Sequence, residues 1–276
     1  MCLCAVHPEF TGYKAGELIN QADVALLQYP LDFAMPQQLK RNDLTYYSSV
    51  TRTNGRAVAP SLCYNMCMIG ACSYAPGYFT GDSSYSIAWL AMGNRTLADP
   101  WLQQAFLHMD LTHFNVWKER AITGTSARAR VCVCVCVRDH CCCCVLVFTH
   151  SARCATGGNL NFITGAGGYL QNFLYGYSQI RLAGVRQLVM PLAPSLPPGN
   201  VTRVKLRNIS LAGVRMSLWY NATDVCLQQV PPPSREAAAG SLQVVCASGE
   251  VCVKAVPSSR PACVTSQPLT IRAVPI

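Results

Sequence analysis

The chain has 276 residues, 51% of them apolar and 13% charged, with 17 Cys, 19 Gly and 17 Pro and a formal charge of +9. That length holds one large core or two smaller domains, and the composition excludes intrinsic disorder, which needs few apolar residues and many charges. The excess of 22 basic over 13 acidic side chains, and the cysteines, signal an anionic partner, metal or disulfides only where such residues converge, so position decides.

The start, MCLCAVHPEF, has neither the basic flank nor the long apolar stretch of an export signal. No apolar run approaches the roughly 20 residues of a membrane span, so no membrane partner is expected. Asn94, Asn200, Asn208 and Asn221 sit in N-x-S/T sequons, read as chance matches without an export signal. Residues 7–55 are well mixed: a Gly- and Pro-punctuated loop, an apolar run at Val24 to Tyr29, and a helix predicted from about Pro36 to Val50 on the spacing of Leu39, Leu44 and Tyr47. Residues 56–81 are rich in Cys, Met, Gly and Tyr without a clear period. Ser84 can cap a helix running to about Met92, and Asp99-Pro100 supplies an N-cap and first-turn proline for a helix carrying Trp101, Leu102, Ala105, Phe106 and Met109.

Seven cysteines crowd between Cys132 and Cys144 in VCVCVCVRDHCCCC, with an eighth at Cys154. Structural zinc wants separated C-x2-C pairs that let four sulfurs converge. Here Cys132, Cys134 and Cys136 alternate with Val and Cys141 to Cys144 are contiguous, which gives a metal site little support; no metal or cofactor is expected. Val-Cys repeats are what a GT dinucleotide repeat encodes, so residues 120–156 are read as translated non-coding sequence. Beyond them, NLNFITGAGGYLQNFLYGY reads as an apolar helix with Gly165, Gly167 and Gly168 near its start, where close helix packing is the expected use of glycine. From about Val185 the pattern turns to strands, with VRQLVM, VTRVKLRNISL and VRMSLWYNATDV as members of an antiparallel sheet. Helices followed by strands argue for an appended β domain and against βαβ units.

The chain lacks G-x-S-x-G, H-E-x-x-H, a phosphate loop and a dinucleotide fingerprint, so serine hydrolases, zincins and nucleotide enzymes lose support, and no nucleic-acid partner is expected. MDLTHFNVWKE instead gathers Asp110, His113, Asn115, Trp117 and Glu119 within ten residues. Aromatic rings stack on sugars, amides bind hydroxyls and a carboxylate can take a proton from water, although such a cluster alone is more often an ordinary polar loop.

HPEFTGY, NQADVALLQYP, LTHFNVWKE and NFITGAGGYLQ, in that order, resemble the carboxyl-terminal part of glycoside hydrolase family 65. The resemblance covers about 7–55, 82–119 and 157–229. It implies a mainly α then β fold, with the C-terminal part of an (α/α)6 toroid over 1–184, a partial β-sandwich over 185–230, and an atypical, disordered tail over 231–276. It also implies inverting hydrolysis of the α-glucosyl unit of glucosyl-galactosyl-hydroxylysine, a collagen-type glycan, so the expected partner is a carbohydrate substrate. Glu119 then matches the general base, Gln21 falls in the family's K-Q-A-D motif along the sugar site, and Trp117 neighbours the base. Asn20 stands where that motif has Lys, and the family's general acid lies upstream of HPEF. The blocks 56–81 and 120–156 do not match the family and are read as inserts. A phosphorolytic relative would need a phosphate site, and FITGAGG offers little beyond Thr164, so water is the expected nucleophile. A noncatalytic sugar-binding remnant and a secreted Cys-rich binding protein remain alternatives.

Setting the atypical blocks aside leaves Cys226 as the lone cysteine in family-like sequence, while 120–156 and the tail carry +6 of the +9. That nearly cysteine-free profile is what a cytoplasmic protein shows.

Overall fold

The computed structural model describes residues 6–19, 21–51, 79–106, 108–110, 116–118, 131–134, 144–147, 161–231 and 240–275. A 3-10 turn at Asp23–Leu27 leads to helix α1, Gln37–Val50, for which Pro36 serves as N-cap. Asp43, Leu44, Tyr47 and Val50 recur on one buried face of α1, as an amphipathic helix requires.

Helix α2, Phe79–Ala91, starts ahead of the expected Ser84 cap, which falls inside the helix. Helix α3, Arg95–Phe106, likewise starts before Asp99, so Asp99-Pro100 lies within it. The signal that prevails is Asn94, whose side-chain oxygen accepts from the Leu97 N–H at 3.1 Å. An Arg95–Asp99 pair at 3.2 Å and the buried Ala98, Trp101, Leu102 and Ala105 support α3 across Pro100. Helix α4, Ile163–Gln171, runs directly into a π-helical segment, Asn172–Tyr177.

These helices share one core of Leu44, Tyr47, Tyr85, Trp89, Leu90, Trp101, Leu102 and Tyr177, among others. Tyr85 and Trp101 stack within it, with ring centroids 4.5 Å apart. At Gly176 an added Cβ would stand 2.9 Å from Leu90 Cδ1, a tight packing contact, whereas at Gly167 it would meet nothing within 4 Å among the described residues.

Two short antiparallel pairs follow α3 in the chain, β1 (Met109–Asp110) with β2 (Val116–Trp117), and β3 (Val131–Cys134) with β4 (Cys144–Val147). Apart from β3, β4 and the start of α2, the two atypical blocks lie outside the described residues.

The C-terminal half forms two antiparallel sheets. Strands β5 (Arg181–Leu182) and β6 (Gln187–Met190) join β10 (Ser241–Cys246), β11 (Val251–Val253) and β13 (Leu269–Val274) in the order β11-β10-β13-β6-β5. Strands β7 (Val204–Leu211), β8 (Val214–Tyr220) and β9 (Asp224–Val230) pair with β12 (Ala262–Thr265) in the order β12-β9-β8-β7. Met190, Met216, Leu218, Tyr220, Leu227, Leu242, Val244 and Ile271 from both sheets meet in a second core.

The tail therefore departs from the strandless, disordered segment expected after residue 230: β10 to β13 all lie beyond it. Strand β13 sits between β6 and β10, with Ile271 opposite Leu188 and Leu242 opposite Ala273. Each tail strand offers only one to three inward apolar residues between loops rich in Ser, Gly and Pro, too short a period to read alone; pairing supplies the rest. The tail also provides a partner for Cys226, which is disulfide-bonded to Cys263 at its register position, while Cys246 bonds Cys252.

Because Ile271 is fully buried, Ile271→Ala should lower unfolding free energy by about 2 to 5 kcal/mol in denaturant titration. A stability indistinguishable from wild type would mean that β13 is not part of the core.

Candidate functional site

Gln21 lies between the HPEF segment and the 3-10 turn, and it lines two cavities. The larger, of about 410 Å³, is bounded by Glu9, Phe10, Glu17, Leu18, Ile19, Gln21 and Asp23. The smaller, of about 200 Å³, is bounded by Gln21, Tyr29, Ser83, Ser84, Thr164, Gly168 and Gln171 with Leu26, Pro30 and Ile87.

The smaller cavity is chemically the more telling. Thr164, Gly168 and Gln171 recur at helical spacing along one face of α4, and the glycine keeps that wall low. Ser83 and Ser84 come from the second turn of α2, inside the helical core. Ser83 Oγ is buried with no hydrogen-bond partner among the described residues, and a buried hydroxyl left without one costs about 1 to 3 kcal/mol. Tyr29 donates its hydroxyl to Gln171 Oε1 at 2.6 Å. Burial pushes that phenol up to about 12, with Tyr175 adding to the shift and Arg181 opposing it, so it is a donor at neutral pH. Hydroxyls and amides around a small cavity with apolar ribs suit a neutral, hydroxyl-rich ligand.

Trp117 takes a different place. Its ring lies 5.2 Å from that of Tyr169, which in turn stands 5.7 Å from Phe106 and 5.3 Å from Phe173. Tyr169 is on a flank of α4 turned away from Thr164 and Gly168, so Trp117 packs against the helix that walls the smaller cavity while lining neither cavity. The backbone ties the two together, since the Phe162 N–H donates to Trp117 O at 2.7 Å. Glu119, the expected base, and Asn20, His113 and Asn115 lie outside the described residues.

The strand leading towards Glu119 is held by a group the sequence did not single out. Lys118 N–H donates to His108 O at 3.0 Å, and His108 Nδ1 donates to Lys118 O at 3.3 Å. On its other side His108 Nε2 stands 3.5 Å from Asp82 Oδ2, an ion-pair contact longer than a hydrogen bond. Both residues are buried. Burial raises the Asp82 pKa, and His108 only partly offsets the shift. The one advance signal was an Asp-Ser-Ser-Tyr-Ser run in an otherwise apolar helix.

The comparisons with known proteins now bear on these residues. No family model matches the chain. It is 27% identical over 224 residues to a protein-glucosylgalactosylhydroxylysine glucosidase of Dictyostelium discoideum, covering 81% of this chain and 23% of that protein. With the proteins of the same name from Danio rerio and Mus musculus it shares 29% and 27% identity, covering 88% and 80% of this chain and 28% and 24% of theirs. The chain resembles these glucosidases. It spans about a quarter of the length of the relatives it matches. A solved structure described as a putative kojibiose phosphorylase from human microbiome aligns over 94% of this chain and 26% of that one, at 13% identity and a TM-score of 0.45.

A carboxyl whose folded pKa is raised favours folding in its protonated form, so its contribution is fully present below the ordinary value of 3.8 and is lost as pH rises above it. Asp82→Asn, which cannot ionise, should therefore lose less stability than wild type between pH 4 and pH 7. His108→Leu, which leaves the carboxyl unpaired, should cost about 3 to 5 kcal/mol at pH 7. Thermal melts across that range test both, and parallel wild-type and Asp82→Asn curves would refute the burial account.

Proposed function

We propose that this chain carries the base-side part of an inverting α-glucosidase site acting on glucosyl-galactosyl-hydroxylysine. The observation that carries the reading is the small cavity where Gln21 meets Ser83, Ser84, Thr164 and Gln171. The four-fifths coverage by glucosidases of that name supports the substrate class.

In this reading Gln21 binds sugar hydroxyls through its amide, and Trp117 braces the cavity wall from behind α4. Glu119 removes a proton from water as that water attacks the anomeric carbon. Inversion requires an acid across the glycosidic bond, about 6.5 to 9.5 Å from the base, so that water fits between them. The family supplies that acid upstream of HPEF. The finer architecture belongs to the same proposal: part of a helical toroid followed by a β-sandwich. Leu31, Phe33, Ile163 and Leu170 are 66%, 55%, 80% and 64% exposed, apolar surface of the kind that further toroid helices would cover.

The second reading is a sugar-binding remnant without catalysis. Glucose release from glucosyl-galactosyl-hydroxylysine separates the two. Release by the protein with its upstream acid in place, reduced about 10²- to 10⁴-fold in Glu119→Gln, is the expected outcome for the enzyme. The same protein, folded and binding the glycan yet releasing no glucose, supports the remnant.

A further inference from the structure

We infer that Glu9 is a positioning residue for Gln21, acting through the 3-10 turn without touching a ligand. The inference rests on the reading of Gln21 as a sugar contact.

The argument follows a continuous set of hydrogen bonds. Helix α1 holds His7 at three points: Tyr47 donates its hydroxyl to His7 O at 2.6 Å, and buried Asp43 accepts from His7 N at 2.9 Å and meets His7 Nδ1 at 2.8 Å. Two residues on, the Glu9 carboxylate reaches the start of the 3-10 turn. There Oε1 accepts from the Asp23 N–H at 2.5 Å and Oε2 from the Val24 N–H at 3.3 Å. The Asp23 carboxylate in turn accepts from Gln21 Nε2 at 3.3 Å.

The choice of residue follows from the donors. The first N–H groups of a helical turn have no internal partner, and here two of them point at one side chain. Only a carboxylate presents two acceptors; an amide in its place turns an NH2 against one of the N–H groups. Among the described residues lining that cavity, which include Glu17 and Asp23, none is a cation, and the backbone donors fix where the Glu9 carboxylate rests. α1 thereby reaches the Gln21 amide through Glu9, the turn and the Asp23 carboxylate.

A double-mutant cycle on the full chain tests this, with calorimetric Kd for glucosyl-galactosyl-hydroxylysine and amide exchange at Asp23 and Val24. Glu9→Gln should weaken binding about fivefold, the scale of a lost helix cap, and accelerate exchange at both amides while the Tyr47 amide is unchanged. In a Gln21→Ala background the same substitution should weaken binding no further, because a residue acting through Gln21 has nothing left to act on. An additive effect would show Glu9 touching the ligand itself, and an unchanged Kd in Glu9→Gln would show a cap with no consequence for the site. Either result overturns the inference while leaving Gln21 as a sugar contact. A wild-type chain that binds no glycan, or a Gln21→Ala chain that binds as wild type, overturns the sugar reading and the inference with it.

Discussion

The helical half is built around a helix with no solvent face. From Gly81 to Leu90 every residue of α2 is buried, an arrangement available only to a helix packed on all sides. α1, α3, α4, the 3-10 turn and the π-helical segment all pack against it. That constraint decides what its polar residues do. Asp82, Ser83, Ser84 and Ser86 cannot turn outwards, so each must find a partner or a cavity inside. Asp82 finds His108 and Ser83 borders the cavity beside Gln21. The polarity of the candidate site is thus a product of burying a helix that is not wholly apolar.

What could be read from sequence divides along the same physical line. Local, periodic signals were legible: α1 begins and ends almost where the spacing of Leu44 and Tyr47 places it, and β6, β7 and β8 fall within the alternating runs. Signals that compete locally were not. Asp99-Pro100 has the form of a helix start, yet Asn94 caps the turn before it, and the Arg95–Asp99 pair and the burial of Ala98 favour the earlier start. β12 and β13 pair with strands some 35 to 85 residues away in sequence, which no window along the tail contains.

The site shows a further limit. The K-Q-A-D-like motif brought Gln21 forward, and the structure sets it on two cavities. Trp117 was chosen as a neighbour of Glu119 in the chain, and chain proximity says little about direction on a strand, where successive side chains point to opposite faces. His108 and Glu9 were invisible because their roles consist of hydrogen bonds to backbone groups at Lys118, Asp23 and Val24, and backbone donors carry no sequence signature.

The two cores are also less separate than a helical part with an appended sheet domain would suggest. Tyr177 closes the helical core and Ile180, three residues on, belongs to the sheet core. Between them Gln179 donates to the carbonyls of Leu90 and Gly176, and the Ser195 N–H donates to Tyr177 O at 2.8 Å. Arg181, on the edge strand β5, donates to the carbonyls of Tyr175 and Ile180 and lies 5.9 Å from the Tyr29 ring. Tyr29 and α4 wall the smaller cavity, so the segment that forms the wall is pinned at its far end by the sheets. A linker would let the two parts move independently; a three-residue passage fastened by side-chain-to-backbone hydrogen bonds does not. The sheet half, including strands supplied by the tail, is therefore part of what holds the candidate sugar site in shape.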